Sequence, residues 1–96
     1  MKVIYEYDKN KNNINLTKHG LSFEYAYLIY ENINKLTLQV YSNNELRFND
    51  IAMLEIGNKI LLLVYVIRQD KVRVISLRTA SKKERKLYEK FIKKES

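Results

Sequence analysis

The stretch ELRFNDIAMLEIGNKILLLVYVIRQDKVRVISLRT, residues 45–79, decides the fold. Three β-rich runs are separated by two turn signals, GN at 57–58 and QD at 69–70. GN suits a two-residue hairpin loop, because mirror-type turns need positive φ. The pattern predicts strands over 45–56, 59–68 and 71–79, joined as an antiparallel meander. Working outward, KLTLQVY (35–41) alternates as a preceding strand and KVIYEY (2–7) as the first one. Asp8 then stands as a helix N-cap, opening a short polar helix over 9–18 with Ile14 and Leu16 inward. Lys18 and His19 fall in its last turn, where cations complement the carbonyl end, and Gly20 can take the left-handed turn that stops it. Ser22 caps a second helix, 23–31, with Phe23, Ala26, Tyr27 and Tyr30 at helical spacing. At the far end Ser81 and Glu84 form a capping box. It opens a helix over 82–93 with Leu87, Tyr88, Phe91 and Ile92 on one side.

The element order is therefore β-α-α-β-β-β-β-α. That predicts an α+β fold: an antiparallel-dominated sheet of about five strands, two short N-terminal helices and one C-terminal helix. The first strand must insert beside a distant strand, and a parallel pairing with a later one is one solution. Ninety-six residues support one domain, 1–96. The chain has no proline, two glycines and no cysteine. No flexible linker is visible, and disulfides, thiolate nucleophiles and cysteine metal sites are excluded. One histidine among scattered acids offers no familiar ligand spacing, so no metal or cofactor is expected. The longest apolar run, ILLLVYVI (60–67), is too short to span a membrane, and the N-terminus lacks a signal-peptide pattern. A soluble cytoplasmic protein with no membrane partner is expected. The net charge of +7 favours an anionic partner, nucleic acid or an acidic protein.

Taking both turns as two-residue loops sets the registers. One face then collects Leu46, Phe48, Ala52, Leu54, Ile56, Leu61, Leu63, Tyr65, Ile67, Val72 and Val74, the natural face for helices. The other carries Arg47 opposite Arg68, Arg68 opposite Lys71, and Arg73 opposite Val66. Like charges on neighbouring strands repel. Such a cluster is either a solvated rim diluted by Glu45 or a phosphate site, and the planar guanidinium fork suits phosphate oxygens. Arg78 falls on the opposite parity, so either it snorkels to the edge or a bulge near Ser76 turns it across. Ile60, Leu62, Val64, Ile75 and Leu77 leave the arginine face apolar as well, which asks for cover, in an isolated chain of this size from a partner protein.

YEYDKNKNNINLTKHGLSFEYA, ELRF and KVRVISLRTASKKERKLYE together resemble the BrnT family of bacterial type II toxins. The similarity rests on the K-H-G-x-S-F block at Lys18–Phe23 and the R-x-I-S-x-R block at Arg73–Arg78, and covers nearly the whole chain. Tyr7 stands where the family pattern has tryptophan, Ala52 where glycine is frequent, and Leu77 where alanine is usual. The resemblance implies a RelE-like fold and a ribonuclease that arrests translation. It also implies neutralisation by a cognate ribbon-helix-helix antitoxin of the BrnA kind, in a hetero-oligomer that reaches operator DNA only through the antitoxin.

Metal-free RNA cleavage must activate the 2′-OH, hold and neutralise the scissile phosphate, and protonate the leaving oxygen. Arg68, Arg73, Arg47 and Arg78 are the candidates for phosphate work. His19, Lys18, Tyr65 and the carboxylates are the candidates for proton transfer, although capping explains Lys18 and His19 without chemistry. No second histidine exists, so a two-histidine acid–base pair is excluded. Tyr7 and Tyr65 are candidates for stacking RNA bases, and Lys71 is a further RNA-binding candidate. The alternative is a non-catalytic nucleic-acid-binding or protein-interaction module on the same fold.

Overall fold

The computed structural model describes residues 2–95, apart from the side chains of Ile56 and Glu95. Strand β1 (Tyr5–Glu6) leads into helix α1 (Lys9–His19), a 3-10 turn (Phe23–Tyr25) and helix α2 (Tyr27–Tyr30). Strands β2 (Leu36–Ser42), β3 (Glu45–Leu54), β4 (Lys59–Arg68) and β5 (Lys71–Thr79) follow, then helix α3 (Lys82–Glu95). The five strands form one sheet in the order β1-β5-β4-β3-β2. All neighbours run antiparallel except β1, which pairs parallel to β5 through Tyr5↔Val72 and Glu6↔Arg73. The α+β class and the sheet match the expectation. The predicted first strand shrinks to two paired residues, and the predicted second helix breaks into the 3-10 turn and one turn of α-helix.

Local chemistry explains the boundaries. The Asp8 carboxylate accepts from the amides of Asn10 (2.8 Å) and Lys11 (3.4 Å), opening α1. Gly20, at φ 71°, donates its N–H to Leu16 and ends it. The capping box of α3 is complete: Glu84 N–H donates to Ser81 Oγ at 3.2 Å, and Ser81 N–H donates to Glu84 Oε1 at 2.7 Å. Gln69 and Asp70 both hold positive φ, as a two-residue mirror turn requires.

The GN hairpin differs from expectation. Gly57 and Asn58 do take positive φ, but within a four-residue connection of residues 55–58, and the pair flanking it is Leu54↔Lys59 rather than Ile56 opposite Lys59. The register moves by two residues. An even shift keeps every side chain on its predicted face while changing its partner across the strand. Continued past Phe48↔Tyr65, it sets Glu45, not Arg47, across from Arg68.

One face of the sheet packs Ala52, Leu61, Leu63, Tyr65, Val72, Val74 and Leu77 against Phe23, Ala26 and Ile29 of the N-terminal segment. Leu46 and Ile67, assigned to this face, lie at the sheet end and stay exposed, as does Tyr27. Ile51 and Leu62 on the other face are buried under Tyr88 of α3. The chain's own C-terminal helix thus covers apolar residues of the face that suggested a protein partner. A register shift between Val64 and Tyr65 leaves Ile75 as an extra residue, because Tyr65 faces Val74 and Val64 faces Ser76. This bulge brings Leu77 into the helix-packed core and puts Arg78 opposite Leu62 rather than beside Leu61.

The inward side of α1 also departs from expectation. Ile14 is 64% exposed and Leu16 46%, while Asn15 is 6% exposed. Residues 14 and 16 are about 200° apart around a helix and cannot share a face. The side that docks is the polar line Asn12, Asn15, His19.

Candidate active site

Arg47 on β3, Arg68 on β4 and Arg73 on β5 line one cavity of about 140 Å³, with Lys11 and Asp8 of the α1 end, Glu45, Val66, Val74 and Ile75. Val66↔Arg73 is a cross-strand pair, and Arg47 lies one position beyond Phe48↔Tyr65. The pleat therefore delivers all three guanidinium groups to one end of one face. Their partners are unequal. Arg68 donates to Glu45 Oε2 from Nη2 at 2.8 Å and from Nε at 3.3 Å, with its side chain half exposed. Arg73 Nη1 stands 3.5 Å from Glu6 Oε1. Arg47 Nε is buried and has no hydrogen-bond partner among the described residues. A buried donor without a partner costs about 1–3 kcal/mol. The lining holds four cations against two carboxylates, a charge balance that favours an anion.

Arg78 stands apart. Nη1 and Nη2 each donate to a Glu84 carboxylate oxygen at 2.9 Å, and Nη1 also donates to the Thr79 carbonyl. The Arg78 hydrogen bonds, with help from Ser81, hold the Glu84 carboxyl down at about 2 against the cost of burial, and the same fork raises the guanidinium of Arg78. Arg78 lies outside the cavity lining and joins β5 to α3.

Lys18 and His19 line a second groove of about 200 Å³, formed with Lys11, Ile14, Asn15, Ile75 and Ser76. It shares Lys11 and Ile75 with the arginine cavity, so the two adjoin across the β5 bulge. Its floor is set by Asn15. The Asn15 amide donates from Nδ2 to the carbonyls of Leu77 (2.7 Å) and Leu21 (2.9 Å), and Oδ1 accepts from Leu77 N–H (3.3 Å) and Ser76 Oγ (3.5 Å). One side chain does for Leu77 what a neighbouring strand would do, on the β5 edge that β1 leaves open.

Tyr65 corrects its sequence assignment. It is 4% exposed, stacked on Phe48 and edge-on to Tyr30, so its ring is not open to an RNA base. Odd positions of β4 face the helices, and burial followed by the Asp50 charge pushes its hydroxyl pKa far up. Tyr7 is half-buried and packs edge-on against Phe23 at 5.5 Å. Lys71 sits opposite Arg68 at the hairpin end, outside the cavity lining.

Sequence reasoning missed three groups. Lys11 and Asp8 reach the cavity from α1. Asn15 was visible as the polar residue four before His19, on the same helix side. Asp50 is fully buried in β3, bonded to Lys35 Nζ (2.7 Å) and Thr37 Oγ1 (2.6 Å). An acid at an inward-parity position between Phe48 and Ala52 was the available signal.

A search of curated proteins returned no match. A family model does match, over residues 7–84: the ribonuclease toxin BrnT, of type II toxin–antitoxin systems. That span includes α1, the whole sheet after β1, both grooves and the Arg78–Glu84 fork, and the chain belongs to the BrnT family of type II ribonuclease toxins.

Proposed function

We propose that the arginine cavity holds the scissile phosphate of an RNA strand, and that the protein is a metal-independent endoribonuclease that stops translation. The observation that carries the reading is the convergence of Arg47, Arg68 and Arg73 from three strands on one cavity, one of them with an unpartnered buried donor. Arginines fixed by sheet geometry need no rearrangement when charge grows on the phosphate oxygens, which is the condition for electrostatic stabilisation of the transition state. The 2′-oxygen attacks the phosphorus as its proton leaves, and the 5′-oxygen departs as it gains one. Asp8, Glu45 and Lys11 in the cavity, and His19 and Lys18 in the adjoining groove, are the candidates for those transfers. Arg78 serves the fold here, because Glu84 occupies its fork.

In the cell, the cytoplasmic toxin is held inactive by a cognate ribbon-helix-helix antitoxin in a hetero-oligomer, and operator DNA is reached through that antitoxin. The net charge of +7 suits both an RNA substrate and an acidic covering segment. Inducible expression without an antitoxin tests the reading. Growth arrest with shortened transcripts, abolished by Arg68→Ala or Arg73→Ala, is the expected result. Undisturbed growth at good soluble expression would leave a binding module without catalysis.

A further inference from the structure

We infer that the groove between α1 and the β5 bulge receives a nucleobase of the RNA, next to the phosphate held in the arginine cavity. The inference rests on the RNA reading of that cavity. The bulge is the first reason. Ile75 is the extra residue, flanked by Tyr65↔Val74 and Val64↔Ser76, and it lines both the groove and the cavity. Ile14 is the second. It is 64% exposed and contributes to neither core cluster, and unlike the equally unburied Leu16 it lines the groove. A β-branched residue is also a weaker helix former than the lysines and glutamines that suit an exposed position. The fold gains nothing visible from an isoleucine there, whereas a groove between aliphatic walls does.

The two isoleucines give a flat heterocycle apolar contact, as apolar side chains do in pockets that hold unstacked bases. The rim is polar, with the Ser76 hydroxyl and the Lys18 ammonium at hand for the base edge. Lysine only donates, so it favours an edge rich in acceptors, such as guanine O6 and N7. Asn15 is not a reader, since its amide is spent on Leu77, Leu21 and Ser76. Its bonds keep the floor fixed instead. Arg73 and Ser76 pair with Val66 and Val64, two steps apart on β4, about 7 Å at ~3.3 Å per residue, a distance one nucleotide spans. A phosphate at one end and an apolar slot at the other match a nucleotide better than a free anion.

Titration of the full chain with inorganic phosphate and with guanosine 3′-monophosphate at one ionic strength separates the two parts. The expected result is nucleotide binding about tenfold tighter than phosphate, in the range of one base contact. The Ile14 methyl resonances should move with the nucleotide only, whereas those of Ile75, which lines both spaces, should move with either ligand. Ile14→Ser, at an exposed position, should remove the tenfold gain and leave phosphate affinity as it was. Equal affinity for both ligands with unmoved Ile14 methyls overturns the base subsite and leaves the phosphate reading standing. Failure of both ligands to bind overturns the two together.

Discussion

The two ends of β5 both carry arginine on the same sheet face, and they use it in opposite ways. At the C-terminal end, Arg78 is matched: two nitrogens meet the two oxygens of Glu84, and Glu84 in turn caps α3. At the N-terminal end, Arg73 meets Glu6 only at 3.5 Å, a half-exposed Arg68 meets a single oxygen of Glu45, and Arg47 keeps a buried Nε without a partner among the described residues. Where a guanidinium is saturated by the chain, it holds elements together. Where three are gathered in one cavity with fewer acceptors, the proposed function assigns the missing acceptors to a ligand. The family assignment gives the ligand class, and on that proposal the difference between the two ends marks the arginines that would face it.

The largest expected effect tests the matched side of this contrast away from β5. Asp50 is fully buried with Lys35 and Thr37. Asp50→Ala strands the Lys35 ammonium against Tyr30 and should cost about 3–5 kcal/mol in urea unfolding, a large share of the ~5–15 kcal/mol typical of a domain. A loss under ~1 kcal/mol would mean that matching in this protein does not report structural work. Next comes the unmatched end. Arg47→Met keeps the aliphatic stem and removes the fork. RNA cleavage should fall about 10²–10³-fold, while stability holds or rises by up to about 1–3 kcal/mol as the buried unpartnered Nε is removed. A stability loss without a rate loss would move Arg47 to the class of Arg78.

How much of this was legible follows from what each kind of residue signals. The meander, the capping box and the joint at Lys18-His19-Gly20 were readable because turn and cap chemistry is local. The gathering of Arg47, Arg68 and Arg73 was readable because strand parity survives an even register error. The register itself was not. The connection after Leu54 takes four residues where the Gly-Asn pair suggested two, and local sequence does not count them. Asn15 and Asp50 were missed for a shared reason. Each is a polar residue buried by partners distant in sequence, and polarity alone reads as surface. Tyr65 failed in the opposite direction, since an aromatic ring in a strand fits either a base or a core until its neighbours are known.

A smaller effect concerns acid. Glu84, held at about 2 chiefly by Arg78, binds fewer protons folded than unfolded. A depressed carboxyl contributes its stability above its ordinary value near 4.5 and loses it as pH falls towards 2. About 1–2 kcal/mol should disappear across that window after allowance for its partial exposure, read as a falling urea midpoint. In Glu84→Gln this part of the acid slope should be missing. An unchanged slope would show that the fork on α3 is not the matched pair described.

The finest test changes the sign of a contact without touching an arginine. Glu45 is the carboxylate that occupies Arg68, in a pair whose side chains are 53% and 30% exposed. An exposed pair of this kind contributes about 0–1 kcal/mol to stability, so Glu45→Gln should barely move the unfolding midpoint. The same change removes one of two acids from the cavity lining and frees the Arg68 fork for phosphate. Phosphate affinity should rise a few-fold, roughly the effect of one screened charge at the surface. It should also fall more steeply with salt than in the parent. If Glu45 instead positions Arg68 for the ligand, the substitution weakens phosphate binding, and Arg68 then belongs with the matched arginine at the other end of β5. The two outcomes differ in sign rather than size, so a modest effect still decides between them.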